Sequence, residues 1–144
     1  MNGMPLSMLK AACLVTIAAG LVGAAASHPL TAAPWTLLMD VLQWPLDRGQ
    51  SVASSEARVL SAIGGGLSVG WGVLLYLLAA GPVARGEQDA SRMFITSVLA
   101  WFTVDSIASL AAGWPGNVAL NIVFLAALTA PFLFGGRNPV RAAA

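Results

Sequence analysis

MFITSVLAWFTVDSIASLAAGWPGNVALNIVFLAALTAPFLFGG, residues 93–136, carries one formal charge, Asp105. The run is about twice the roughly 20 residues that cross a hydrocarbon core. Trp114-Pro115-Gly116 divides it, and a connection that short makes its two halves an antiparallel helical hairpin. Asp105 then falls inside the bilayer. A carboxyl group there is costly enough that it generally faces a bundle interior, a water pocket or a partner.

The rest of the chain has the same character. Over 144 residues it is 58% hydrophobic and 9% charged, whereas a soluble domain carries roughly 25% charged residues. It reads as an integral membrane protein with room for four spans, forming a single transmembrane bundle over 1–144. The net charge is +1, with no basic cluster, so a nucleic-acid partner is excluded. The single cysteine, Cys13, lies in an apolar run; it permits neither an internal disulfide nor a cysteine metal site and reads as a small buried hydrophobe.

The expected fold is all-α, a four-helix antiparallel up-down bundle with spans at about 8–26, 59–80, 93–113 and 118–135. The first is short, and Lys10, the apolar region and Ala24-Ala25-Ala26 also fit a cleaved secretory signal. A retained span is expected, since the n-region has a single Lys and the bundle otherwise lacks its fourth helix. Ser54 or Ser55 caps the second helix, with Glu56 in its first turn, and Gly81-Pro82 stops it. Lys10, Arg85, Arg92, Arg137 and Arg141 fall on one side against Arg48 and Arg58 on the other, which places both termini in the cytoplasm. Trp35, Trp44 and Trp114 then gather at the outer interface.

Between the first two spans, Thr36, Asp40, Gln43 and Asp47 form a polar stripe on a helix over about 34–46, with Trp35, Leu38, Met39 and Leu42 on the other side. The pattern fits an amphipathic helix lying on the outer leaflet, apolar face down, or equally a lid packed over the bundle mouth.

Candidates for chemistry are the polar and small residues within the spans. Trp101, Asp105, Ser109 and Gly113 recur every fourth residue and share one face. In the second span Ala62, Gly66 and Gly70 have the small-xxx-small spacing that lets backbones approach, and Gly64, Gly65 and Gly72 widen that packing groove. Gly64 to Gly66 lie about 9 to 12 Å below Arg58 and Asp105 roughly 13 Å below Trp114, so the groove is expected to receive the Asp105 face. Asn117 and Asn121, one turn apart, are placed to join Asp105 and Ser109 in a polar network. Arg58 is the nearest candidate cation. Without that ion pair, a neutral Asp105 donating a hydrogen bond is expected. Each feature also has an ordinary role: Asp105 as interhelical glue, the glycines as packing, Trp71 and Trp101 as core filling. His28, the only histidine, lacks a second ligand nearby, so no metal and no cofactor are expected.

No phosphate loop, CxxC pair or Ser-His-Asp set occurs, which disfavours enzymes of those types. Small four-span multidrug exporters have a membrane glutamate in the first helix, and here that helix has no acidic residue. Two stretches resemble a family of small, uncharacterised four-span bacterial integral membrane proteins. One runs from Glu56-Ala57-Arg58 through Ala62-Ile63-Gly64-Gly65-Gly66 to Gly70-Trp71-Gly72; the other is Trp101-Phe102 with Val104-Asp105-Ser106, then Asn117-Val118 and Asn121. The resemblance spans about half of the chain and implies a four-helix fold without supplying a function; the Ala-rich composition, with Arg favoured over Lys, suits a bacterial source and so an inner membrane. The expected function is a non-enzymatic accessory or scaffold subunit of a membrane assembly, with the lipid bilayer and a homo-oligomer or larger complex as partners. The alternatives are a proton-coupled carrier or channel using Asp105, and a lipid- or quinone-binding protein gated by the outer helix.

Overall fold

The computed structural model describes residue 1 and residues 3–135. Among these the chain is all-helical: α1 (Met4–Ala25), α2 (Ala33–Gln43), α3 (Ser55–Leu78), α4 (Gln88–Ala111) and α5 (Pro115–Gly135). Four of them are long and apolar enough to cross a membrane, α3 together with the turn that follows it. Arg137 and Arg141, two of the charges behind the expected orientation, lie outside the described residues.

The helices begin up to five residues before the expected spans because polar first turns extend beyond the apolar stretches. Pro5 occupies the first turn of α1, where a missing N–H is harmless. Ser54 Oγ accepts from Ala57 N at 3.1 Å and caps α3. Contrary to expectation, Gly81-Pro82 does not stop the second span. The backbone widens into a π-helical turn over Ala79–Val83 that accommodates Pro82. The chain reverses at Gly86, whose φ of 85° suits glycine. The α4–α5 hairpin is as tight as expected. Gly113 adopts a φ of 77°, Trp114 N bonds back to Ser109 O at 2.8 Å, and Pro115 opens α5.

The helices pack up-down around a ring in the order α3, α1, α5, α4. The most intimate pair is α1 with α3, antiparallel, since Ser61 bonds Gly23 O at 2.6 Å while Gly72 meets Ile17 further along. Glycine makes the approach possible on both sides. A Cβ at Gly20 would stand 2.8 Å from Val69 N, and one at Gly65 would run into the Ala24 backbone, 2.6 Å from its Cα. The ring is weakest between α3 and α4, which touch little.

The core occupies one end. Leu9 and Cys13 of α1, Leu75, Ala79 and Val83 around the end of α3, Phe94 and Val98 of α4 and Leu128 of α5 are buried together. Phe94 and Phe132 stack with centroids 5.3 Å apart. At the opposite end, where α2 lies, the bundle is hollow. Outward, Leu14, Leu21, Leu60, Leu67, Val104, Ile107, Ile122 and Val123 are exposed, an apolar girdle far larger than water-soluble monomers present.

The polar stripe expected along α2 is divided: Asp47, just beyond the helix, is exposed, whereas the helical part of the stripe turns inward. Asp40 is only 3% exposed and accepts from Arg48 N at 2.8 Å through Oδ2; Thr36 and Gln43 are half-buried. Leu37, Val41 and Trp44, at i, i+4 and i+7, face out instead. Trp35, Leu38 and Met39 cover the hollow end of the bundle, as a lid would. The inversion has a local cause: the loop after α2 folds back over Asp40 and supplies a backbone donor to its carboxylate.

Candidate functional site: a lidded polar cavity

The hollow end is a cavity of about 660 Å3, within the range of small-molecule sites. Its walls come from all five helices. Asp105 stands about 9 Å from the α2 end of α4 and Gly64 about 14 Å from that end of α3, at 1.5 Å per residue. Both line the cavity from opposite sides.

The floor is aromatic. Trp71 reaches from α3 to α4 and donates from Nε1 to Ser97 Oγ at 2.8 Å, one of the few ties across that open seam. Trp101 lies beside it, ring centroids 5.4 Å apart, and meets Phe124 edge-on at 6.3 Å. Ser97, Trp101, Asp105 and Ser109 are successive fourth residues, so one stripe of α4 runs from floor to mouth.

The polar wall is the α4–α5 hairpin. Asn121 Nδ2 donates to Asp105 Oδ2 at 2.6 Å and to Ser106 Oγ at 3.2 Å. Asn117 Nδ2 donates to Asp105 Oδ2 at 3.0 Å and to Ser109 Oγ at 2.8 Å. Asp105, Ser109, Asn117 and Asn121 all border the cavity, Asn121 the most deeply buried at 3% exposed. The hairpin aligns these groups because α4 and α5 are antiparallel and separated by a three-residue turn, so depth below the turn matches on both sides.

The structure thus joins Asp105, Ser109, Asn117 and Asn121, and leaves Arg58 out. The Arg58 Nε donates to Val52 O at 3.4 Å, within the loop preceding its own helix, and among the described residues no ion pair involves Asp105. Asp105 instead accepts twice at Oδ2, from Asn117 and Asn121.

The glycine groove is also redistributed. Gly65 and Gly72 pack against α1, not against the Asp105 face. Gly64 looks across the cavity with nothing near it, and Ala62, Gly66 and Gly70 are exposed. The reason is that α1 offers Gly20, Gly23 and Ala24, a small-residue face matching that of α3, whereas α4 offers Trp101. Steric fit selects α1.

Several lining residues were not singled out from sequence. Ser97, which supports the floor through Trp71, carries a detectable signal, since it lies two turns from Asp105 on the same stripe of α4. Phe124 follows Asn121 by three residues and Asn117 by seven. Thr16 and Ser68 have none, because serine and threonine in spans commonly bond their own helix, as these do to Ala12 O and Gly64 O. His28 caps the short turn Pro29–Thr31 by accepting from Leu30 N and stands exposed, away from the cavity. Among the described residues no group of acidic, His or Cys side chains is arranged to hold a metal ion. No family model, curated protein or solved structure matches this chain.

Proposed function

We propose that this is a non-enzymatic, multi-pass membrane protein that binds an amphiphile, a lipid- or quinone-like molecule, in the cavity between α3 and α4 beneath the α2 lid. The observation that carries this is the cavity's two-sided chemistry. A largely apolar space of about 660 Å3 has one polar wall, at Asp105, Ser109 and Asn117, and a rim of exposed Leu60, Gly64, Ala108 and Ala112 along the loosely packed α3–α4 seam. A molecule with a polar head and an apolar body matches that division. The outward Leu37 and Val41 of α2, with Trp44 just beyond its end, suit the acyl boundary of one leaflet. The Lys and Arg distribution favours both termini cytoplasmic, and the Ala-rich composition with Arg favoured over Lys suits a bacterial inner membrane.

The test is native mass spectrometry from a mild detergent. The wild-type chain is expected to retain a small amphiphile. Gly64→Trp, which fills the cavity from a position where a side chain meets nothing, is expected to lose it while keeping its helical content. An empty wild-type protein, or retention by Gly64→Trp, would count against amphiphile binding.

A second role, as an accessory subunit or homo-oligomer, is favoured by one observation: Ala62, Gly66 and Gly70 keep their small-xxx-small spacing on an exposed face of α3. Co-purification of a stoichiometric partner, lost in Gly66→Leu but kept in Gly64→Trp, would separate the two roles.

A further inference from the structure

Several of the polar groups around the cavity are already committed. The hydroxyls of Thr16, Ser61 and Ser68 are committed to backbone carbonyls, Ala12 O, Gly23 O and Gly64 O respectively. The Trp71 N–H is committed to Ser97. The amide N–H groups of Asn117 and Asn121 are committed to Asp105 and its serine neighbours. Both of those amides use Asp105 Oδ2. Its Oδ1 has no protein donor among the described residues, yet it is not sealed off, since the buried unpartnered oxygens are those of Asp40 and Gln43. The wall therefore turns a carboxylate oxygen toward the open space, with no Lys, Arg or His of the described residues paired to it.

One helical turn from Asp105 stands Trp101, with Trp71 and Phe124 against it. Aromatic faces carry negative charge density and attract cations, indole most strongly. A carboxylate beside two indoles and a phenyl ring, in a space walled by apolar side chains, complements a positive head attached to an apolar body. An anionic head would meet Asp105 with like charge. A neutral hydroxyl head could donate to Oδ1 but would bring no opposite charge.

We infer that the cavity is selective for a monocationic amphiphile, an alkylammonium-type molecule whose charged head is held between Asp105 and the Trp71, Trp101 and Phe124 rings. This rests on the amphiphile-binding function proposed above and assigns it a charge class. The head would sit one or two turns below the α2 lid, with the chain leaving along the α3–α4 seam past Gly64.

The test uses the full chain in a neutral maltoside detergent, titrated separately with dodecyltrimethylammonium, dodecanol and dodecanoate. Binding is read from tryptophan fluorescence and from one-to-one adducts in native mass spectra. The cation is expected to bind at least about tenfold more tightly than the alcohol of the same chain length, and the carboxylate more weakly than either. Asp105→Asn is expected to bring cation and alcohol to within about twofold of each other. Equal binding of cation and alcohol by the wild type would overturn the charge assignment and leave amphiphile binding standing. Failure of all three to bind would overturn both. The wild-type comparison decides the matter even if Asp105→Asn does not fold.

Discussion

Asn121 Nδ2 and Asp105 Oδ2 meet at 2.6 Å across the α4–α5 hairpin, the shortest link in a network that also includes Asn117, Ser106 and Ser109. Such bonds between helices in lipid are worth less than their geometry suggests, because groups separated within the membrane find other partners. A double-mutant cycle on Asp105→Ala and Asn121→Ala is expected to give a coupling of about 0.6 kcal/mol, and no more than about 1.7 kcal/mol. Reversible unfolding in mixed micelles measures it. A coupling near zero would mean that the two side chains do not meet.

The glycines of α3 should divide sharply by position. Gly65→Ala places a methyl group against the Ala24 backbone, which cannot swing aside as a side chain can. A loss of about 1–3 kcal/mol is expected as α1 and α3 separate. Gly66→Ala, one residue on, meets nothing and should be neutral or stabilising by up to about 1 kcal/mol through helix propensity. Thermal midpoints of the two variants in one detergent make the comparison; equal effects would refute the α1–α3 contact.

The Trp71–Ser97 bond ties α3 to α4 where little else does. Ser97→Ala leaves the indole N–H without its acceptor at the cavity floor and is expected to cost about 1 kcal/mol, and up to about 3 kcal/mol if water does not replace the hydroxyl. Amide hydrogen exchange should quicken at the facing turns of α3 and α4 but not at the α1–α3 contact. Uniform quickening would mean that the bond does not hold the seam.

Two buried acceptors on α2, Asp40 Oδ1 and Gln43 Oε1, have no partner among the described residues, and they are three residues apart on one helix face. Asp40→Asn keeps an oxygen for Arg48 N and adds an N–H2 group that can reach Gln43. The substitution is therefore expected to stabilise the lid, by about 0.5–2 kcal/mol. A lower thermal midpoint for Asp40→Asn would show that the carboxylate itself is needed there.

Much of the bundle was legible because its causes are local. Apolar length marks a span, Ser54 marks a cap, and Trp114-Pro115-Gly116 marks a hairpin. The hairpin in turn places Asn117 and Asn121 at the depth of Asp105 and Ser109, so the polar wall followed from chain connectivity. The π turn at Pro82 was not legible, since whether a proline ends a helix or widens it depends on what holds the next residues.

Sequence alone determined the helical class, the four apolar spans, the isolated carboxyl group and its amide neighbours, because each depends on composition or on spacing along one helix or one tight hairpin. Tertiary structure decided which small-residue faces meet, that Arg58 stays in its own loop, that Asp40 turns inward, and that α3 and α4 splay to leave a cavity. Those outcomes depend on fit between surfaces distant in the chain. The Gly65 face could have received Trp101 or Gly20, and only a close approach of two backbones at Gly20 and Gly65 excludes the larger side chain and leaves Asp105 facing open space.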